Sequence, residues 1–161
     1  MAPRIDPQDS ISCLMSQLAH AMQQEMTSTL AEMNLTLLQL AALGELDKDA
    51  SLSTADLARL TSVTPQNMSL TVSKLADDGD LIRRPHATNA RVIRLEITPK
   101  GRRVLRKGIA RVVLIEGQAF AGLSARGKVG LRALLRECLG RVKNSHAKKF
   151  AIGHRNGRRK R

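Results

Sequence analysis

Two helix-start signals follow each other within the stretch STADLARLTSVTPQNMSLTVSKL, which spans Ser53–Leu75. Ser53 and Asp56 form an S-x-x-D capping pattern, in which each side chain accepts a hydrogen bond from a free backbone N–H of the first helical turn. Thr64 can cap a second helix, and Pro65 then occupies the first helical position, where the missing N–H costs nothing. The few residues between the two signals leave room only for a tight turn. The stretch therefore predicts a helix-turn-helix motif.

The second of these helices has two different faces. Met68, Val72 and Leu75 recur at helical spacing, which predicts that they point into the core. The opposite face carries mainly amides and hydroxyls, which can bond base edges or phosphates in the major groove of DNA. The helix N-terminus also offers backbone N–H groups to a phosphate. We therefore expect DNA contacts from Thr64, Gln66, Asn67, Ser69, Leu70, Ser73 and Lys74.

Two extended runs follow Gly79, which is expected to end the second helix. Leu81–Arg84 is the first run, and Val92–Ile97 alternates apolar and charged residues as a half-buried strand does. The polar residues between them, Pro85–Arg91, are predicted to form a hairpin loop. This order of elements is that of a winged helix-turn-helix domain, in which the hairpin lies beside the DNA. We therefore add the hairpin residues Arg84, His86, Asn89 and Arg91 to the expected DNA contacts.

The rest of the chain is predicted to be helical. Aromatic residues make up only 1% of the chain, so the core has to be built from aliphatic side chains, which favours helices. Apolar stripes predict a long helix from Ser10 to Met33, ended by Asn34. A well-buried helix then follows, opened by a T-x-x-Q capping box at Thr36 and Gln39 and followed by a polar loop at 46–50.

Two further helices are predicted after the hairpin. One starts at Thr98–Pro99 and runs towards Phe120, although Gly108 and Gly117 weaken the prediction that it is continuous. Ser124 can cap the last helix. The apolar stripes at both ends of the chain exceed what one small winged domain can cover. The predicted fold class is therefore mainly α with a small β-wing: a winged helix-turn-helix domain plus N- and C-terminal dimerisation helices.

The formal net charge of +13 indicates a polyanionic partner, either nucleic acid or an acidic membrane surface. No apolar run is long enough to span a bilayer, and we expect no membrane partner. After His146 the chain carries basic residues without any acidic one: Lys148, Lys149, Arg155, Arg158, Arg159, Lys160 and Arg161. This tail, residues 146–161, is predicted to be disordered. It could either solubilise the protein or raise its non-specific affinity for DNA.

The cysteines and histidines form no recognisable site. Cys13 and Cys138 are far apart in sequence, which favours a reduced cytoplasmic protein with two buried thiols, Cys138 within an apolar stripe. The four histidines and two cysteines show no metal-ligand spacing, so we expect no metal and no cofactor. No nucleophile–base pair or phosphate loop is recognisable, and we expect no enzyme.

Four stretches together resemble the multiple antibiotic resistance regulator (MarR) family of bacterial transcription factors. They are LTLLQLAAL at Leu35–Leu43, STADLARLTSVTPQNMSLTVSKL at Ser53–Leu75, LIRRP at Leu81–Pro85 and RVIRLEITPKG at Arg91–Gly101. The wing and recognition helix depart from the family's usual pattern. Asn89 and Ala90 stand where an aspartate and an arginine are usual, His86 where another acid is common and Leu70 where an arginine is frequent, so that Arg91 remains as the tip cation. Asp80 resembles a one-residue insertion.

The resemblance implies a homodimer with an N-terminal dimerisation helix (1–34), a winged helix-turn-helix DNA-binding region (35–98), C-terminal dimerisation helices (99–145) and the basic tail (146–161). It implies a cytoplasmic repressor of a near-palindromic operator on double-stranded DNA, released by a small-molecule effector. Since aromatic residues are almost absent, an effector cleft would be lined by Met, Leu and Ala. His20 is a candidate residue for contact with the effector. The alternatives are a thiol-based redox sensor using Cys13, a non-specific nucleic-acid-binding protein and a helical scaffold.

Overall fold

A computed structural model of the protein describes residues 9–86 and 89–157, with the side chains of residues 9–85 and 93–142. The elements in chain order are α1 (Ile11–Ala31), α2 (Leu37–Lys48), α3 (Thr54–Leu60), α4 (Pro65–Asp77), β1 (Leu81–His86), β2 (Asn89–Ile97), α5 (Pro99–Ala119) and α6 (Ala125–Gly157). Residues up to Gln118 form one compact unit, and the residues from Ala119 onward form a second. The predicted fold class, mainly α with a small β-wing in a winged helix-turn-helix arrangement, is confirmed.

The first helix begins where the sequence indicates and ends at Ala31, two residues before the predicted end. Ser10 Oγ accepts the backbone N–H of Cys13 at 3.2 Å, and Asn34 adopts the left-handed conformation (φ 52°) that closes the turn after α1. Near its C-terminus α1 packs against α2, where Leu30 is fully buried. Towards its N-terminus four large apolar side chains are exposed: Ile11, Leu14, Met15 and Leu18.

Helix α2 is the centre of the first unit's core. Its capping box is present: Thr36 Oγ1 accepts the Gln39 N–H, and Gln39 Oε1 accepts the Thr36 N–H. It contacts α1, α4 and β2, which explains why it is apolar nearly all round. The predicted polar loop at 46–50 begins too early, because Leu46 is buried and the helix continues to Lys48.

Helix α5 is continuous through Gly108 and Gly117, contrary to the reservation drawn from the sequence. A Cβ on Gly108 would lie 2.6 Å from Leu40 Cδ1 and 3.1 Å from Leu35 Cδ2. Gly108 is therefore the position at which α5 closes onto α2. The glycine serves long-range packing, so its poor helix propensity is outweighed.

The wing is longer than predicted. Strands β1 and β2 pair antiparallel from Leu81↔Ile97 to His86↔Asn89, with an irregular register between Pro85 and His86. Most of the predicted loop therefore lies on strands. Pro85 is tolerated because it stands in an edge strand beside this irregularity.

The second unit contains α6, capped by Ser124 Oγ, which accepts the Gly127 N–H at 3.1 Å. The prediction that residues 146–161 are disordered is wrong as far as Gly157, because α6 continues to that residue. Extending an existing helix adds a hydrogen bond per residue without a new nucleation cost, and Ala, Lys and Arg are good helix formers. Residues 158–161 lie outside the described residues.

The prediction of two buried thiols is also wrong for this chain. Cys138 is exposed, because the apolar stripe of α6 that carries it is largely exposed within the described residues, with Leu134, Leu139 and Val142 each more than half exposed. Cys13 is half-buried, and its sulfur accepts a hydrogen bond from Gln17 Nε2 at 3.2 Å. Neither cysteine forms a disulfide.

Candidate nucleic-acid interface

Helices α3 and α4 form the predicted helix-turn-helix. The capping box at the start of α3 is present, and the hydrogen bonds from the Ser53 hydroxyl and N–H hold the pKa of Asp56 at about 2. The turn closes at Ser62, whose φ of 57° is left-handed. Thr64 Oγ1 then accepts the Asn67 N–H at 3.2 Å, with Pro65 at the first position of α4. These local contacts set the start and direction of α4, which we call the recognition helix.

The recognition helix has the two faces that the sequence predicts. Met68, Val72 and Leu75 are 0–1% exposed and pack into the core, together with Thr71. The opposite face carries exposed Thr64, Gln66, Asn67, Ser69, Leu70 and Lys74 and half-buried Ser73. The structure therefore brings all seven predicted residues of α4 and its cap to one surface.

Lys74 forms an ion pair with Asp78 one turn later, with Nζ and Oδ1 2.8 Å apart. This hydrogen bond and the nearby charge raise the pKa of Lys74. The lysine side chain is 62% exposed, and exposed ion pairs of this kind contribute little free energy. The ammonium group can therefore exchange its partner for a phosphate at low cost.

The two arginines of β1 lie on opposite faces of the hairpin. Arg83 Nη2 donates to Ser73 Oγ at 2.8 Å, whereas Arg84 Nε donates to Glu96 Oε2 at 3.0 Å. The structure thus places Arg83, which the sequence reasoning missed, against the recognition helix. Side chains on a strand alternate between its two faces, so Arg83 shares the face of buried Leu81. This alternation could have identified Arg83 from the sequence. A role of Arg84 in DNA contact stays a prediction.

The remaining predicted wing residues lie on the strands. His86 ends β1, Asn89 opens β2 and Arg91 follows on β2. Their side chains lie outside those that the structure describes, as do residues 87 and 88 altogether. Their contacts with DNA therefore stay predictions.

A shallow groove of about 520 Å³, largely open to solvent, lies along one side of α1. His20 lines it together with Gln23, Gln24, Thr27 and Ser28. The side chains that line it are all polar, and all of them belong to α1. The effector cleft lined by Met, Leu and Ala therefore stays a prediction.

Two negative observations apply to the described residues. Within them no group of three or more His, Cys, Asp or Glu side chains could hold a metal ion. None of the helices in the same residues is long and apolar enough to cross a membrane.

Comparison with known proteins identifies the family. The MarR family model matches residues 33–92. The HTH-type transcriptional repressor Rv2887 of Mycobacterium tuberculosis is 30% identical over 112 residues, which cover 70% of this chain and 81% of that protein. The crystal structure of Rv2887 in complex with DNA is similar at 27% identity with a TM-score of 0.70, over 80% of this chain and 97% of that one. The structure of Rv2887 with p-aminosalicylic acid is similar at 26% identity with a TM-score of 0.68, over 80% and 98%. From this match in sequence and fold, the chain belongs to the MarR family of transcriptional regulators.

Proposed function

We propose that this protein is a repressor that binds a near-palindromic DNA operator as a homodimer. The two-faced recognition helix carries the proposal. Its inner face is anchored by side chains that are 0–1% exposed, so the polar outer face is held rigidly. Because the major groove is about 12 Å wide, it admits one such helix.

The relatives support this assignment. Rv2887 is named a transcriptional repressor and has been crystallised with DNA. The net charge of +13 favours association with a polyanion. A bacterial repressor acts on the chromosome, and we accordingly propose that this protein works in the cytoplasm.

A second copy of the chain would cover the exposed apolar surfaces. On α1, the side chains of Ile11, Leu14, Met15 and Leu18 are 43–78% exposed, and α6 separately exposes Leu134, Leu139 and Val142. Contiguous exposed apolar surface of this kind marks a protein interface. A two-fold dimer would present two recognition helices to half-sites about 34 Å apart, one turn of DNA.

The experiment is selection of genomic fragments by the purified protein, followed by sequencing and light scattering of the complex. We expect one dimer to bind a near-palindromic site. The matched control is a duplex of the same base composition with shuffled half-sites, which should be bound far more weakly. Equal binding of both duplexes would identify a non-specific nucleic-acid-binding protein. A monomer at micromolar concentration that binds DNA one-to-one would contradict the dimer, and no binding at all would favour the scaffold.

We further propose that a small aromatic carboxylic acid releases the protein from its operator. The support is the complex of Rv2887 with p-aminosalicylic acid, together with the open groove at His20. A ligand that prefers the wrong spacing of the two recognition helices lowers operator affinity by its differential affinity for the two states.

We expect aromatic acids to release the protein from its operator. The extent of release should be the same for wild type and Cys13→Ser. The measurement is fluorescence anisotropy of labelled operator during titration with a panel of such acids and, separately, with peroxide. Release by peroxide that is absent from Cys13→Ser would establish Cys13 as a redox switch and contradict the ligand proposal. His20→Ala tests the groove as the effector site, since this change should shift the effector titration while leaving operator affinity unchanged.

A further inference from the structure

Leu70 is the unusual residue on the outer face of the recognition helix. It is 66% exposed, and no other leucine, methionine or valine of α4 is exposed, α4 being a helix that the structure describes completely. Residues three and four positions apart are neighbours on a helix surface. Leu70 is therefore bordered by Gln66 and Asn67 on one side and by Ser73 and Lys74 on the other.

These polar neighbours distinguish Leu70 from an ordinary surface leucine. Single exposed apolar residues are common and need no explanation. Leu70, however, occupies the middle of the surface that we assign to the major groove, where a side chain without hydrogen-bonding groups faces base edges. Next to the polar groups of guanine, cytosine or adenine it would leave those groups without a partner after water is expelled, which is unfavourable.

Thymine is the base whose major-groove edge suits such a side chain. It presents a C5-methyl group there, and apolar side chains contact that methyl. The amide groups of Gln66 and Asn67 have the geometry to bond the N6 and N7 atoms of adenine, which always pairs with thymine. The neighbouring amides and the leucine therefore favour the same kind of base pair.

We propose that Leu70 recognises a thymine in each operator half-site through its C5-methyl group. This inference rests on the proposed function and names the base that the recognition helix selects. Burial of one methyl against leucine corresponds to about a fourfold change in affinity per half-site, and to roughly fifteenfold when both half-sites are changed.

The test replaces each operator thymine in turn by deoxyuridine, which removes the methyl and keeps the base pair. Operator dissociation constants are measured for wild type, Leu70→Ala and Leu60→Ala, the last a control that removes a leucine 56% exposed on α3. Leu70→Ala should fold normally, because the side chain is exposed and alanine favours helix. We expect one thymine per half-site at which uracil weakens operator binding by wild type and Leu60→Ala about fourfold but leaves Leu70→Ala unaffected.

Three results would overturn the inference. The first is that uracil has no effect at any position, and the second is that Leu70→Ala keeps the wild-type response to uracil. The third is a response to cytosine C5-methylation alone, which would assign the methyl to 5-methylcytosine. Wild-type protein without any operator preference would instead refute the proposed function and the inference with it, so the two failures are distinguishable.

Discussion

A protein that carries both Gln66→Ala and Asn67→Ala is expected to lose most of its preference for the operator over random DNA. Each amide that bonds a base in two places contributes about 1–3 kcal/mol of discrimination, so the double variant should lose about 2–6 kcal/mol in each half-site. Folding should be unaffected, because both side chains are exposed and the cap uses the backbone N–H of Asn67. The measurement is the ratio of dissociation constants for operator and shuffled duplex.

Two variants separate recognition from general attraction. Lys74→Ala should weaken all sequences about equally, because it removes one phosphate contact from each protomer. The slope of log affinity against log salt should fall by about one per protomer, or about two for the dimer. Gln118→Ala removes an exposed amide near the end of α5 and should leave both quantities unchanged. If the Gln66 and Asn67 double variant kept wild-type affinity and preference, the recognition helix would be misassigned.

The elements that the sequence predicts well are those determined within one or two helical turns. The caps at Thr36, Ser53 and Thr64 join atoms only three residues apart, so the residue types alone identify them. The two faces of α4 follow from the 3.6-residue period, and burial of Met68 and Leu75 confirms that prediction.

The features that were missed depend on contacts between distant residues. Gly108 weakens a helix when α5 is considered alone, and only the approach of Leu40 shows why glycine is there. Arg83 and Arg84 are equivalent in composition, and only the pairing of β1 with β2 places Arg83 beside Ser73. Exposure of Cys138 likewise depends on whether another element covers α6, which a periodic stripe does not reveal.

Gly101→Ala is expected to be the most destabilising small substitution in α5. A Cβ at this position would lie 2.0 Å from the carbonyl oxygen and 2.9 Å from the carbonyl carbon of Asp80, both backbone atoms that cannot rotate away. The same oxygen accepts the Thr98 N–H at 3.0 Å. The alanine therefore has to break the contact between the segment after the recognition helix and the start of α5.

The position of the wing depends on that contact. Thr98 Oγ1 donates to the carbonyl oxygen of Gly79 at 2.8 Å and accepts the Gly101 N–H at 3.0 Å, while Lys100 Nζ lies 3.5 Å from the buried Asp80 carboxylate. These bonds tie the end of α4 to the end of β2. Displacing them should move the hairpin relative to the recognition helix and lower operator affinity as well as stability.

The expected loss of folding free energy for Gly101→Ala is about 3 kcal/mol, the upper end for overpacking, or roughly 6–12 °C in melting temperature for a chain of this size. Gly117→Ala is the matched control, because it lies on the same helix with nothing within 4 Å of its added Cβ. It should melt at or slightly above the wild-type temperature, since alanine favours helix over glycine by up to about 1 kcal/mol. Thermal unfolding followed by circular dichroism at equal protein concentration measures both. If Gly101→Ala melted with the wild type, the close approach of α5 to Asp80 would be wrong, and with it the argument that this junction positions the wing.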